Sequence, residues 1–369
     1  MTLLMPWFSR YGDRGDNAAV TGTGQPTTRA GIWDLAASGL GYHLDNLGRW
    51  LIARHLPLGR AYAALLAPRR PRLVRKPGWH FAEEYYGQRR WLACRRGALW
   101  EAARRLGLVV PVVVRWLDDI DVEVTLGNDN SLCLYVCGTF EPNEFAFLDQ
   151  VLKPGMVFFD VGANDGYFSL FAARRLGPTG RVIAVEPSSR ERTKLQRNID
   201  ANRLTNVTVV PLALGAVPGT ASLRLAREAH SGHNTLGKFA HDGVQMDSVE
   251  EVKVDALDSV ATRLGLSRVD FIKIDVEGAE ASVIEGAEDV LRRMRPTLLL
   301  EINEMALAAQ QRSAERLLGM LRTDFDYEIL IFSPESGLLE SRVKNQPLSA
   351  NIVARPRELG SPLAGRPEH

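Results

Sequence analysis

The first feature that could do chemistry is an acid followed by a glycine-rich turn. An apolar run from Val157 leads to Asp160, and Gly162, Asn164 and Gly166 follow before a helical pattern begins. Glycines in such a turn adopt positive φ and let backbone N–H groups approach a ligand closely. The start of a helix favours an anionic group. Asp160, at the end of the run, could bind a ligand's ammonium group.

Glu186 is a second acid at the end of an apolar run, and it follows Gly166 by 20 residues. In a doubly wound sheet a carboxylate at this place accepts hydrogen bonds from both hydroxyls of a ribose. The turn and the acid therefore predict an adenosine-containing ligand. A dinucleotide turn, G-x-G-x-x-G, closes small residues on a pyrophosphate, whereas this turn carries Asn164 and Asp165. Because an acid suits a sulfonium better than a pyrophosphate, we expect S-adenosylmethionine and keep NAD as the alternative.

Acids also follow two later apolar runs. Asp275 and Glu277 follow the first, and Glu301 and Asn303 follow the second. Ligands of open α/β sheets bind outside the carboxyl ends of the strands, so Asp275 and Glu277 are candidate catalytic residues. The alternative is that these two acids cap the next helix. No metal is expected, although Asp275, Glu301 and Asn303 could offer oxygen ligands to a divalent cation.

Three histidines lie in a Gly- and Ser-containing insertion that suits a flap over an active site: His230, His233 and His241. A histidine can accept a proton from a weak nucleophile such as an alcohol. His233 is the candidate base among the three. The alternative is that all three are exposed loop residues.

Taken together, these segments resemble the FkbM family of methyltransferases, from about Asn130 to Pro356. The motifs that carry the resemblance are Gly138-Thr-Phe-Glu141, Asp160-Val-Gly-Ala-Asn164-Asp-Gly166, Ile183-Ala-Val-Glu186-Pro187, Ser231-Gly232-His233-Asn234-Thr235-Leu236, Val254-Asp-Ala-Leu-Asp258-Ser, Ile272-Lys-Ile-Asp275-Val-Glu-Gly-Ala-Glu280 and Asn351-Ile-Val-Ala354. The resemblance implies transfer of a methyl group from S-adenosylmethionine to a hydroxyl of a sugar, a glycan or a polyketide-like natural product.

The resemblance also implies roles for individual residues. The methionine part of the cofactor would be held by Asp160, Gly162, Asn164 and Gly166. Glu186 would bind the ribose, Ala213 would lie beside the adenine, and Glu141 would belong to the cofactor site. This sequence departs from the family at Asp165, where an apolar residue is common, and near His233 and Asn234, where a serine is usual.

Strands and helices must alternate to position these residues. Uninterrupted apolar runs between helical patterns predict a mostly parallel sheet that is covered on both faces. The resemblance implies that this sheet is a seven-stranded, Rossmann-like methyltransferase sheet. Before it we expect a hairpin of Asp121–Leu126 and Leu132–Cys137, joined by the polar turn at residues 127–130. A mainly helical N-terminal extension precedes the hairpin.

The composition changes near residue 110. Residues 1–110 carry a net charge of +10 and the remainder −9, and all seven tryptophans lie at or before Trp116. We predict a disordered leader over 1–30, a Trp/Arg-rich helical region over 31–118, the methyltransferase domain over 119–356 and a tail over 357–369. The N-terminal region could be core, a lid over a large acceptor, a dock for a carrier or a membrane surface, or a dimer contact that makes the protein a homo-oligomer.

Two other classes of function remain open: an NAD-dependent oxidoreductase, and an inactive cofactor-binding protein of methyltransferase fold. A small-molecule or glycan acceptor is the expected partner, and no nucleic-acid partner is expected. No apolar run reaches the roughly 18 residues that a membrane span needs, and no signal peptide is recognisable, so a cytoplasmic location is expected.

Overall fold

The computed structural model describes residues 43–78, 90–239, 243–343 and 346–359. The predicted leader over 1–30, the candidate His241 and residues 360–369 of the predicted tail lie outside the described residues. Among the residues that are described, no helix is both long enough and apolar enough to cross a membrane.

A mixed sheet of eight strands forms the centre of the molecule. From one edge to the other its strands are β12 (Leu339–Ser341), β11 (Tyr327–Phe332), β13 (Asn351–Pro356), β10 (Thr297–Glu301), β9 (Phe271–Ile274), β3 (Val157–Val161), β4 (Arg181–Val185) and β5 (Val207–Val210). The strands from β10 to β5 are parallel to one another, and β13 pairs antiparallel with both β10 and β11. The predicted seven strands are confirmed, and the short β12 is an additional edge strand.

Helices cover both faces of this sheet. They are α1 (residues 43–54), α2 (Leu56–Leu66), α3 (Arg90–Arg105), α4 (Pro142–Val151), α5 (Tyr167–Leu176), α6 (Ser189–Ala201), α7 (Leu257–Arg263), α8 (Glu280–Glu285), α9 (Glu288–Arg293), α10 (Glu304–Ala309) and α11 (Ala314–Thr323). Alternate strand residues point to opposite faces, so Phe158 packs with α4, α5 and α6 while Phe159 packs with α7 to α11.

Two stretches that the sequence pattern predicts as single helices are each divided in two. The pattern predicts one helix over 279–293, but the structure divides it at Gly286, where a Cβ atom would lie 2.1 Å from the carbonyl oxygen of Gly215. The pattern also predicts one helix over 308–322, where the structure has the end of α10 and most of α11. Gln311, between these two helices, has a left-handed backbone with φ of 59°, which a continuous right-handed helix excludes.

The hairpin lies one strand earlier than predicted. β1 (Val110–Arg115) pairs antiparallel with β2 (Asp121–Leu126), whereas Leu132–Cys137 is helical. The predicted second strand is therefore wrong. Five consecutive buried residues, Leu132 to Val136, give no periodicity that separates a strand from a buried helix. The Asn128 side chain accepts a hydrogen bond from the N–H of Asn130, which starts a helical turn where a hairpin turn was expected.

A small sheet extends from the carboxyl side of the central sheet. Its three strands, in spatial order, are β6 (Ala213–Leu214), β8 (Met246–Asp255) and β7 (Gly219–Ala226). A 3₁₀ segment, Glu228–His233, follows β7 and carries two of the three candidate histidines. This sheet and segment stand at the ends of β3, β4 and β9, where the candidate site is expected.

The described N-terminal helices are part of the main core. Leu99 and Trp100 of α3 are buried in the same cluster as Phe158 of the central sheet. Trp116, just after β1, packs edge-on against Phe145 at 4.8 Å between ring centroids. These two tryptophans are core residues, which is one of the roles left open for the N-terminal region, whereas Trp50 is about half exposed. The helical region and the sheet therefore share one apolar interior.

Replacing Leu99 with alanine should lower the free energy of unfolding by about 2–5 kcal/mol, because Leu99 is 1% exposed and the cavity would open in the shared core. Urea denaturation followed by tryptophan fluorescence and by far-UV circular dichroism measures this loss. The matched control is Leu65→Ala on α2, which is 68% exposed and should change stability by less than about 0.5 kcal/mol. Equal losses for the two variants would show that α3 is not part of the core.

Candidate active site

The turn after β3 brings the backbone close to the neighbouring strand end. Gly162 has φ of +77°, and a Cβ atom there would lie 1.8 Å from the carbonyl oxygen of Asp275. Gly166 has φ of +93° and precedes α5, and a Cβ atom there would lie 2.4 Å from Cδ1 of Leu195. Glycine is therefore required at both positions by conformation and by space. Asn164, between them, has a left-handed backbone with φ of 49°.

Asp160 lies directly beneath this turn and is fully buried. Its Oδ2 atom accepts a hydrogen bond of 2.6 Å from the Ser169 hydroxyl, and its Oδ1 atom lies 3.6 Å from Nζ of Lys273. Burial raises the pKa of Asp160, and the Lys273 ammonium opposes that shift. The Asp160 carboxylate therefore lies beside the Lys273 ammonium at the end of β3.

Lys273 is the functional residue that sequence reasoning missed. Its buried ammonium lies 3.1 Å from Oδ2 of Asp275 and donates a hydrogen bond of 3.1 Å to the carbonyl oxygen of Gly162. Burial lowers the pKa of Lys273, but the carboxylates of Asp275 and Asp160 outweigh burial and raise it. A lysine inside the apolar run Phe271–Ile274 was the available signal, because lysine is almost never buried without a partner.

Glu186 stands at the end of β4 beside the turn, as predicted. Its Oε2 atom accepts from the N–H of Asn164 at 2.9 Å, and its Oε1 atom accepts from the N–H of Ser188 at 2.8 Å. Burial raises the pKa of Glu186 to about 7, and the two backbone hydrogen bonds limit the rise. Each carboxylate oxygen keeps a second lone pair for a ligand hydroxyl.

A cleft of about 640 Å³ opens at these strand ends, and we call it the strand-end cleft. Its polar walls include Gly162, Asn164, Glu186 and the 3₁₀ segment at Ser231 and Gly232. Its apolar walls are Val161, Val185, Leu212, Ala213, Leu214, Leu223, Leu236, Val276 and Ala279. The cleft thus offers an apolar slot next to a carboxylate, which is the pattern that an adenosine needs.

A second cavity of about 700 Å³, the acidic pocket, adjoins the strand-end cleft, and the two share Gly162, Asn164, Gly232, Asp275 and Glu277. Its other lining residues are Asn130, Phe140, Glu141, Ala163, Asp165, Gly166, Tyr167, Phe168, His233, Lys273 and Glu301. All three predicted catalytic residues lie in this pocket. The structure therefore brings together candidates that are up to 44 residues apart in sequence.

His233 and Glu277 form a pair inside the acidic pocket. Nδ1 of His233 lies 3.0 Å from Oε1 of Glu277. Burial lowers the pKa of His233, but the hydrogen bond and charge of Glu277 outweigh burial and raise it. Such a carboxylate fixes the imidazole tautomer and orientation. His230 is bonded elsewhere, with its Nδ1 atom 2.6 Å from Oδ2 of Asp129.

The carboxyl groups of the acidic pocket differ in their ionisation. Burial raises the pKa of Asp275, but Lys273 and a hydrogen bond from Glu301 outweigh it, so the pKa is lowered. Glu301 has a pKa well above its ordinary value because of burial and the nearby charge of Asp275. Burial also raises the pKa of Glu141 to about 8. The lowered pKa of Asp275 therefore favours its ionised form, while the raised pKa values of Glu301 and Glu141 favour their protonated forms.

The possible metal ligands are only partly assembled. Asn303 accepts hydrogen bonds from the N–H groups of Met305 and Ala306, so its amide oxygen caps α10. In the described part of the chain, the acids that approach one another within 4.8 Å are Asp275, Glu277 and Glu301. Lys273 already supplies a positive charge beside Asp275. Of the predicted alternative set, Asp275 and Glu301 thus lie together, while the amide oxygen of Asn303 is engaged at the start of α10.

The remaining predicted residues take different places. Ala213 lies on β6 in the wall of the strand-end cleft, whereas Glu141 lies in the acidic pocket. Asp165 is buried near Lys194, with 3.9 Å between Oδ1 and Nζ, and burial raises its pKa to about 6. Three lining residues other than glycine have left-handed backbones, namely Glu141, Asn164 and Glu277. Backbone strain of this kind often collects at functional sites.

The chain matches a known family over the residues that build this site. Residues 160–329 match the profile of the Methyltransferase FkbM domain. These residues form an FkbM methyltransferase domain. The match confirms the resemblance that the sequence motifs indicated, and it includes every residue that lines the strand-end cleft.

Similar proteins of this kind occur in several bacteria. The chain is 29% identical over 202 residues to the AMB antimetabolite synthetase AmbE of Pseudomonas aeruginosa, which is 47% of this chain and 10% of that protein. It is 30% identical to the 31-O-demethyl-FK506 methyltransferase FkbM of Streptomyces tacrolimicus, over 37% of this chain and 62% of that protein. It is 27% identical to the 2-O-methyltransferase NoeI of Sinorhizobium fredii, over 46% of this chain and 72% of that protein.

Coverage differs between these relatives, and the chain spans only a tenth of AmbE and 62% of FkbM. Among solved structures, a methyltransferase FkbM from Methylobacillus flagellatus is 17% identical over 60% of this chain and 52% of that chain, with a TM-score of 0.35.

Replacing Gly162 with alanine should destabilise the FkbM domain more than the same change at Gly265. Both glycines have positive φ, +77° and +61°, so each substitution costs about 1–2 kcal/mol of backbone strain. Only Gly162→Ala also drives a methyl group into the carbonyl of Asp275, which should cost a further ~1–3 kcal/mol. For Gly265 no heavy atom of the described residues lies within 4 Å of the added Cβ. Urea denaturation of the two variants gives the comparison, and equal midpoints would contradict it.

Proposed function

We propose that this protein is an S-adenosylmethionine-dependent O-methyltransferase that acts on a hydroxyl of a sugar, a glycan or a polyketide-like natural product. The observation that carries the proposal is the junction of two cavities. The strand-end cleft, with Glu186 beside an apolar slot, opens onto the acidic pocket at Gly162 and Asp275. One cavity can hold an adenosine while the other presents an alcohol to the same point.

The residues present fit the cofactor. Oδ1 of Asn164 is buried and lacks a hydrogen-bond donor among the described residues, and Oδ1 of Asp160 has the Lys273 ammonium 3.6 Å away but no donor at hydrogen-bond distance. A buried acceptor that no donor satisfies calls for a ligand donor, such as an ammonium group. Asp160, Gly162, Asn164 and Gly166 would hold the methionine part, Glu186 the ribose hydroxyls, and Ala213 with its apolar neighbours the adenine. When bound, S-adenosylmethionine supplies an electrophilic methyl group on a sulfonium.

The side chains around the junction prepare the acceptor. With its Nδ1–H donated to Glu277, His233 accepts the hydroxyl proton at Nε2, and the Glu277 carboxylate stabilises the imidazolium that forms. General-base help of this kind is worth about 10²–10⁴-fold in rate. Asp275, which stays ionised beside Lys273, can accept a hydrogen bond from the same hydroxyl and hold it in line. Positioning of two reactants can lower the activation barrier by roughly 7–11 kcal/mol.

The relatives support oxygen as the methylated atom. FkbM and NoeI are both named for O-methylation. An alcohol also agrees with a histidine–carboxylate pair, because a neutral hydroxyl is a weak nucleophile that gains from a base. The acidic pocket is open to solvent, which leaves room for an acceptor larger than a single methanol-sized group.

Calorimetry with S-adenosylhomocysteine tests the cofactor assignment. The wild type should bind, and Glu186→Gln should weaken binding about 10–100-fold, because hydrogen bonds to a charged group contribute about 1.5–3 kcal/mol. The matched control is Glu288→Gln, an exposed glutamate on α9 whose replacement should leave the affinity unchanged. NAD is titrated in parallel. Binding of NAD without S-adenosylhomocysteine would identify an oxidoreductase and contradict the proposal.

Methyl-labelled S-adenosylmethionine identifies the product. The protein is incubated with panels of hydroxylated natural products and glycans, and mass spectrometry locates the label. We expect it on oxygen. A label on nitrogen or carbon would contradict O-methylation, and cofactor binding without turnover of any panel would favour an inactive binding protein.

The pH profile tests the role of His233. His233 must be neutral to accept a proton, so kcat/KM for the acceptor found above should rise with pH through a midpoint above 6.5. Glu277→Gln removes the charge that raises the pKa of His233, so the midpoint should move to lower pH. Glu288→Gln should leave the midpoint in place, and His233→Asn should abolish the rise of kcat/KM with pH. An unchanged midpoint in Glu277→Gln would exclude His233 as the titrating base.

A further inference from the structure

The turn between β2 and the helical stretch Leu132–Cys137 lies between two parts of the chain that are far apart in sequence. On one side it contacts α3 of the N-terminal region, and on the other it contacts the 3₁₀ segment Glu228–His233. We name residues 127–131 the clamp turn. The strand-end cleft and the acidic pocket both include residues of the 3₁₀ segment.

Helix α3 holds the clamp turn through two side chains. The indole N–H of Trp100 donates to the carbonyl oxygen of Asn128 at 3.0 Å and to the hydroxyl of Ser131 at 3.1 Å. Nη1 of Arg104 lies 2.9 Å from Oδ1 of Asp129, and its guanidinium stacks over the Trp100 ring at 5.2 Å. Trp100 is buried and both charged groups are partly buried, so water reaches these contacts only in part.

The clamp turn in turn holds the 3₁₀ segment. Oδ2 of Asp129 lies 2.6 Å from Nδ1 of His230. The Asn128 amide donates to the Ser231 hydroxyl at 2.7 Å and also to the carbonyl oxygen of Glu228. A Cβ atom on Gly232 would lie 2.5 Å from Oδ1 of Asn130, so the Asn130 side chain packs directly against the Gly232 backbone.

Asp129 therefore uses each of its two carboxylate oxygens for a different neighbour. One oxygen binds Arg104 of α3 and the other binds His230 of the 3₁₀ segment. Across the described residues, no hydrogen bond or ion pair joins Arg104 to the 3₁₀ segment directly. Any influence of the helix on His233 through this charge network must then pass through Asp129. The charge of Asp129 also adds to the rise in the pKa of His233.

We propose that Asp129 is a positioning residue that ties the N-terminal helical region to the active site by holding Glu228–His233 over the junction of the two cavities. The N-terminal region is thus a working part of the site, and its helix α3 sets where His233 and the cleft-lining Ser231 lie. The benefit of this positioning to catalysis rests on the proposed function. The coupling of α3 to Glu228–His233 does not, and it is a property of the ligand-free protein.

Amide hydrogen exchange of the ligand-free protein tests this coupling, with mass spectrometry of peptides over 228–239. Arg104→Met should raise exchange in Glu228–His233 on the order of three- to tenfold, because residues in one network are coupled on that scale. The matched control is Arg105→Met, the next residue on α3, whose partner is Glu101 on the same exposed helix face. Amide exchange over 228–239 in Arg105→Met should equal that of the wild type.

Trp100→Phe is a second variant, which removes the N–H donor but keeps the ring in the core. It should loosen the same segment while the exchange of the central strands stays unchanged. His230→Asn should match Arg104→Met, and adding Arg104→Met to Asp129→Asn should have no further effect. Unchanged exchange in both Arg104→Met and Trp100→Phe, or equal loosening by Arg105→Met, would overturn the proposal.

S-adenosylhomocysteine is then added to each variant. Arg104→Met should bind it three- to tenfold more weakly than Arg105→Met does, because Ser231 and Gly232 line the strand-end cleft. Failure of every variant and of the wild type to bind would contradict the proposed function. In that case the exchange data would still decide whether Asp129 couples the two regions.

Discussion

The buried ammonium of Lys273 is the interaction on which the site depends. It lies between Asp160 and Asp275, which end two adjacent parallel strands, and it also donates to the carbonyl of Gly162. Two carboxylates at the edge of one apolar sheet would repel each other and would take up protons. One cation between them keeps Asp275 ionised and joins the glycine turn to β9. Removal of one partner from such a buried set typically costs about 3–5 kcal/mol.

The position of this cation follows from the order of the strands. β3 and β9 are neighbours, and the chain passes from β3 to β4 on one side and reaches β9 on the other. A crevice forms where the connections diverge in this way. The strand-end cleft and the acidic pocket are the two sides of that crevice, and the close approach of Gly162 to the carbonyl of Asp275 marks the line between them.

The sequence predicts the central sheet well, because its strands are uninterrupted apolar runs that end in acids or turns. β3 begins at Val157 with the apolar run, α5 begins directly after Gly166, and Asp160, Glu186 and Asp275 stand at the strand ends. The helical stretch Leu132–Cys137 was predicted as a strand, because a fully buried segment has no polar face to show its period.

The sequence did not predict the contacts between segments that are far apart along the chain. Local spacing gives no information on which loops contact one another. The approach of Asp129 to His230, and of His233 to Glu277, spans 101 and 44 residues. The sequence shows Lys273 as a lysine inside an apolar strand. Its partners cannot be inferred from the sequence, because they depend on β3 and β9 being neighbours in the sheet. Charge composition marked the N-terminal region as distinct, whereas the shared core shows that this region packs as one with the sheet.

The two cavities differ in where their walls originate. Every residue that lines the strand-end cleft falls within 160–329, whereas the acidic pocket also takes Asn130, Phe140 and Glu141 from the stretch before the FkbM domain. The acidic pocket therefore combines walls from two stretches of the chain, while the strand-end cleft takes its walls from one. Substitutions at Asn130, Phe140 or Glu141 can thus reshape the acidic pocket without changing any residue that lines the strand-end cleft.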